Sequence, residues 1–200
     1  SITVLEGEQV EVTIPVLKLK EVPLKFEFSN VPAGYDPAEL NASISPATIR
    51  IAGAADTVDG IESVNAGFIN LARVQLGKAE TLKIQLSEGL VNVDDVQEAT
   101  VTFDTSGYGE PRAITVSDIR VVNAPSGVDV KVITESINNV TLVGEAEELA
   151  AISPSDVIAQ VDASAQNITV KGSGQQQFSA QIIVTGTKTV FATGAYSVLC

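Results

Sequence analysis

The 200-residue chain carries 12 Lys+Arg against 25 Asp+Glu, a net charge of −13, with no His, a single Cys, 44 % hydrophobic and 18 % charged residues. Without His there is no Ser-His-Asp or Cys-His catalysis and no His-ligated metal; the lone Cys200 excludes an internal disulfide and a thiolate zinc cluster. The acidic balance leaves nothing to neutralise phosphates, which argues against nucleic acid and against basic-patch binding to anionic lipid.

In chain order, short β-branched runs dominate. Ser1-Ile-Thr-Val and Val10-Glu-Val-Thr-Ile-Pro-Val16 open the chain as strand-like sequence, with no signal peptide. Leu24–Phe28 and Thr48–Ile51 alternate with period two, the pattern of strands with one buried and one wet face. Ala54–Ser63 breaks the alternation and predicts one or two helical turns with acids near the start. Leu82–Leu86, Thr100–Phe103, Val128–Val132 and Val140–Val143 return to strand patterning. Glu145–Ile152 predicts a second helical turn, and Phe178–Ile182 a late strand. Six Phe, three Tyr and no Trp leave the core to Val, Ile, Leu and Ala. No apolar run reaches the roughly 18–20 residues that span a bilayer, so any anchor is expected outside this chain, which reads as a piece of a longer protein.

The punctuation repeats. Asn30-Val-Pro-Ala-Gly34 recurs as Asn123-Ala-Pro-Ser-Gly127, and Thr48-Ile-Arg-Ile-Ala-Gly53 recurs as Asn139-Val-Thr-Leu-Val-Gly144. Each second motif precedes a helical turn, ending at Ile61 and at Ile152. The expectation is a mostly β chain of two tandem β-rich domains with short helical turns, related by duplication. Repeat 1 spans 22–104 and repeat 2 spans 114–200. The Gly- and Pro-containing 105–113 forms a hinge of limited bending, and 1–21 is an N-terminal strand segment, the tail of a preceding repeat.

Candidate chemistry is thin. Asp94-Asp95, Glu145 with Glu147-Glu148, and Asp56 with Asp59 are the carboxylate clusters, but they fall in turns or at helix starts, where solvated acids belong. Calcium is the better functional alternative for Asp94-Asp95, although no EF-hand spacing supports it. Gly172-Ser-Gly174 and Gly107-Tyr-Gly109 lack the spacing of a phosphate loop and read as a hairpin turn and the hinge. The sequons at Asn41, Asn139 and Asn167 read as chance, Gln175–Gln177 as a hairpin loop, and Cys200 as an unreactive terminal residue. Tyr35, after its Pro-x-Gly turn, is expected to pack on the core edge. Tyr108 is expected to be exposed and to make an inter-repeat contact. Catalytic, cofactor and metal sites are all predicted to be none.

One resemblance adds to this reading. Phe28-Ser-Asn-Val-Pro-Ala-Gly-Tyr35, Ile44-Ser-Pro-Ala-Thr-Ile-Arg-Ile-Ala-Gly53 and Val58-Asp-Gly-Ile-Glu-Ser-Val64 follow in an order that resembles the YbbR-like domain. The second copy departs from it, lacking Ser-Pro before its Val140 strand and carrying Ala124 where a larger apolar residue is usual. The resemblance implies a tandem-repeat extracytoplasmic region behind an N-terminal membrane helix, on the outer face of a bacterial cell membrane. It implies a non-enzymatic regulator with a protein partner, a membrane diadenylate cyclase complex, and hence a role in cyclic di-AMP signalling. The alternative reading is a bacterial cell-surface adhesion or carbohydrate-binding module, which would need an aromatic platform.

Overall fold

The computed structural model describes residues 16–164, 168 and 174–200. Its elements are strands β1 (Lys18–Ser29), β2 (Ala42–Ser45) and β3 (Thr48–Gly53), helix α1 (Ala55–Asp59), and strands β4 (Val64–Asn70), β5 (Glu80–Lys83), β6 (Val91–Asn92), β7 (Glu98–Phe103), β8 (Arg112–Val116), β9 (Asp118–Val122) and β10 (Ile137–Val143). Helix α2 (Ala146–Ala151) and strands β11 (Val157–Asp162), β12 (Gln177–Val184), β13 (Phe191–Thr193) and β14 (Tyr196–Leu199) complete the chain. It is mostly β with a few short helices, as the alternation predicts. No helix among the described residues is long and apolar enough to cross a membrane.

One connectivity occurs twice. The first half of β1 pairs antiparallel with β3, from Lys18 opposite Gly53 to Pro23 opposite Thr48. Its second half pairs parallel with β4, from Leu24 opposite Val64 to Ser29 opposite Asn70. Downstream, two separate strands make the same pairings: β8 lies antiparallel to β10 and β9 parallel to β11, with Ser117 between them. β3 then pairs with β6 as β10 does with β13, and β5 with β7 as β12 does with β14, all antiparallel.

Side chains follow the same correspondence. Lys20, opposite Ile51, donates to the Ile61 carbonyl at 2.6 Å beyond α1; Arg112, opposite Leu142, donates to the Ile152 carbonyl at 2.8 Å beyond α2. Each cation thus satisfies carbonyls that the short helix leaves open at its C-terminal end. The two Asn-x-Pro-x-Gly turns also match. Asn30 and Asn123 have φ of 50° and 53°, and Gly34 and Gly127 have φ of 87° and 81°. Tyr35 N–H and Val128 N–H then donate to the carbonyls of Pro32 and Pro125.

The halves differ in closure. In the second, β11 and β12 form a ladder from Val157 opposite Val184, giving sheets β14-β12-β11-β9 and β13-β10-β8. In the first, β4 and β5 form no ladder, and the sheets are β4-β1-β3-β6 and β2-β7-β5. A bulge lies where they would meet: two residues, Ala66 and Gly67, stand opposite Phe26 alone, and Gly67 has φ 137°.

Two apolar clusters each lie within one half, around Val22, Ile49 and Ile51 and around Val116, Val140 and Val161. A third is built from both halves. Among the sequence expectations, Val128–Val132 alternates but forms no strand; the chain pairs only just beyond it, where Ile133 and Thr134 N–H donate to the Leu199 carbonyl. Leu82–Leu86 is a strand only to Lys83. The expected features at Ser1–Val4 and Val10–Pro15, the sequon at Asn167, and Gly172-Ser173 lie outside the described residues.

Candidate functional site

The shared cluster is a joint. Val143 at the end of β10 and Phe191 at the start of β13 are cross-strand partners, and both are buried against Tyr35, Leu40, Leu71, Val74 and Val101 of the first half. The Phe191 and Tyr35 rings meet at a centroid distance of 4.3 Å and an angle of 43°. Burying such a ring contributes about 1.5–3 kcal/mol, and the ring pair about 0.5–1.5 kcal/mol more. A backbone bond from Gly194 N–H to the Ala72 carbonyl, at 2.6 Å, ties the same two halves.

Residues 105–113 close the joint on one side. Gly109 N–H donates to the Gly144 carbonyl and Ala146 N–H to the Gly107 carbonyl, at 3.0 and 2.9 Å. Tyr108 bridges Glu145 and packs on the shared cluster. It makes the expected inter-repeat contact but is half-buried rather than exposed, because this backbone pairing folds its ring inward. The Tyr35 and Tyr108 hydroxyls are both buried without a well-formed hydrogen bond. Burial, reinforced by the neighbouring Tyr108, pushes the Tyr35 phenol well above its ordinary value of 10.0; burial likewise raises Tyr108.

Beside the joint lies a cleft of about 580 Å³. Asn70 and Arg73 line it from the first half; Gln160, Asp162, Gln181 and Tyr196 line it from the second. The Tyr196 hydroxyl is already committed, accepting from Thr141 N–H at 2.9 Å and donating to the Thr193 carbonyl at 2.6 Å. The Asp162 carboxylate accepts from Asn123 Nδ2 and Ser164 N–H. The wall therefore offers amides, a guanidinium and a ring face for hydrogen bonding and stacking.

The carboxylates singled out in the sequence lie apart from the cleft lining. Asp94 accepts from Arg50 N–H and Nε, both at 2.7 Å, and these bonds hold its carboxyl below the ordinary range. Asp95 occupies a left-handed turn, φ 54°, and accepts from Gln97. Asp59 pairs with Lys18. Glu148 accepts from the Thr187 and Thr189 hydroxyls, which lowers its pKa. Among the described residues no group of three or more Asp, Glu or Cys is disposed to hold a metal ion. Cys200 is buried in the second-half cluster, its backbone bonded both ways to Gln176, and burial raises its thiol pKa away from the reactive thiolate.

Sequence reasoning found Tyr35 and Tyr108 but missed Phe191, Val143 and the cleft wall. Val190-Phe-Ala-Thr193 is an apolar run that could have signalled a strand, but nothing local in it names a partner in the other half.

These features define a β-rich chain in which one connectivity recurs and an apolar joint packs its two halves together. The family model described as YbbR-like protein matches residues 22–132, and the chain belongs to that family. Among solved structures, SuR18C from Streptococcus thermophilus aligns at 20 % identity and a TM-score of 0.35, over 46 % of this chain and 89 % of that one. A YbbR-like protein from Streptococcus pneumoniae aligns at 17 % identity and a TM-score of 0.29, over 96 % and 98 % of the two chains. No curated protein matches.

Proposed function

We propose that the chain is a non-enzymatic, extracytoplasmic region of a membrane-anchored regulator that acts by protein–protein contact on a membrane diadenylate cyclase. Membership of the YbbR-like family, which is not a known enzyme family, supports the class. The observation that carries the mechanical part is the joint. Phe191 is 1 % exposed beneath Tyr35, and Gly194 is bonded to Ala72, so a force on one half is felt by the other. A contact regulator needs that stiffness, because flexible linkage would dissipate a displacement before it reached the membrane. In the same reading the two halves are copies of one ancestral unit.

The test is reconstitution of the full-length protein with the cyclase in vesicles. Cyclic di-AMP synthesis is expected to change when the protein is added, and a Phe191→Ala variant is expected to lose most of that change while still co-purifying with the cyclase. Synthesis unaffected by the intact protein, together with no co-purification, would overturn the proposal.

A further inference from the structure

The joint has two sides, and the repeated connectivity places a counterpart of each side elsewhere on the chain. Val143 and Phe191 are the inserting side. By strand register their counterparts in the first half are Ala52 and Val91, which pair across β3 and β6 as Val143 and Phe191 pair across β10 and β13. Gly53 and Gly144 confirm the register. Each follows the inserting residue and is crowded by the segment entering the partner strand, through Gly89 and Leu90 in one case and Thr189 and Val190 in the other. Leu19, opposite Ala52 on β1, widens the first-half surface. Where Phe191 is 1 % exposed, Val91 is 52 % and Leu19 is 55 % exposed.

One position of the receiving side shows the same pattern. Its Tyr35, 7 % exposed, follows the Asn-x-Pro-x-Gly turn; the residue after the matching turn is Val128, 40 % exposed. Ile133 and Leu199, joined by the Ile133 N–H bond to the Leu199 carbonyl, are large exposed apolar residues of that half. Among the described exposed large apolar residues, Leu19 and Val91 lie on the unused inserting side of the first half with Leu17 and Val93 just outside their strands, Val128, Ile133 and Leu199 lie on the second half, and Val16 and Phe68 fall in neither group.

We propose that these surfaces dock on one another between two copies of this chain, head to tail, repeating the interior joint. The surfaces are non-identical, so the contact is heterologous and does not close on itself. Val91 replaces Phe and Val128 replaces Tyr, while Ala52, where Val143 stands in the other half, is already buried within the first half, so this contact is shallower and weaker than the interior one. The net charge of −13 opposes it further, and salt relieves that opposition by screening.

Sedimentation of the described chain from micromolar to millimolar concentration, in physiological and in high salt, tests this. Weight-average mass is expected to rise with concentration, more so in high salt. Leu19→Asp with Val91→Asp, or Ile133→Asp with Val128→Asp, is expected to weaken association at least tenfold. These are surface positions, and circular dichroism checks that each variant keeps its fold. Mixing the two variants restores one intact contact, so the mixture is expected to form dimers that do not grow further. A chain that stays monomeric throughout overturns the proposal. So does association that survives either pair of substitutions, which would indicate like-with-like pairing or a different surface.

Discussion

At the scale of single residues, the repeated turns separate two reasons for glycine. Gly127 has φ 81° and open space where a Cβ would lie, so only backbone conformation demands it. Gly144 has φ 156°, and a Cβ there would sit 2.4 Å from the Thr189 carbonyl oxygen and 2.7 Å from the Val190 Cα. Replacing Gly127 by Ala is expected to cost about 1 kcal/mol, the ordinary strain of a left-handed residue. Gly144→Ala adds overlap with backbone that cannot rotate away, and the shift would fall on Val143 and Phe191. Its expected cost is about 3 kcal/mol. Urea unfolding of the two variants measures the gap, and equal losses would show that the loop before β13 moves aside freely.

At the scale of elements, exposed carboxylates fasten strands to their turns. Asp94 holds the turn after β6 to Arg50 on β3; Asp104 accepts from Ser106, Asp118 from Arg120 and Asp156 from Ser153. These bonds lower all four pKa values from the ordinary 3.8. A carboxyl lowered by folding contributes stability above its ordinary value and loses it as pH falls through the folded value. Protonation also relieves the repulsion of a chain at −13, an opposing effect that physiological salt screens. Stability is therefore expected to fall below about pH 4 in physiological salt. Asp94→Asn is expected to have a slightly lower urea midpoint at neutral pH, with the difference closing as the wild-type carboxyl protonates. A difference that stays constant into acid would remove Asp94 from the account.

The elements also show what the sequence reveals and why. Thr48–Ile51 and Val140–Val143 were legible because each is a strand with one buried face, and that face imposes alternation. Val128–Val132 carries the same alternation without a strand, since the pairing begins only at Ile133 and the alternating side chains lie at a partly exposed margin. Helix starts after Gly53 and Gly144 were legible from punctuation, because a short helix is bounded by local chemistry. The joint was not. Phe191, Leu71 and Val74 meet through tertiary packing, and a single residue in an apolar run does not record which distant surface covers it. Tyr108 was placed correctly as a contact and wrongly as exposed for the same reason.

At the scale of the whole molecule, the question is whether the joint couples the halves or merely belongs to a single core. Each half retains an apolar cluster of its own, so interface energy adds to two separate stabilities, as in a repeat protein. The chain supplies its own reporter. It has no Trp, and its three Tyr lie at the joint or on the adjoining cleft wall, so intrinsic fluorescence reports this region while far-ultraviolet circular dichroism reports every sheet. In the intact protein the two signals are expected to change together in urea. Phe191→Ala removes about 3–5 kcal/mol from a contact that both halves share. The tyrosine transition should then move to lower urea than the dichroism transition, which should broaden. Tyr35→Phe is the control, because it deletes a buried hydroxyl without a well-formed bond while keeping the ring against Phe191. Its expected change is within about 1 kcal/mol, with the two signals still coincident. If Phe191→Ala instead lowers both transitions equally and keeps them superimposed, the halves unfold as one core and the coupling assigned to the joint is wrong.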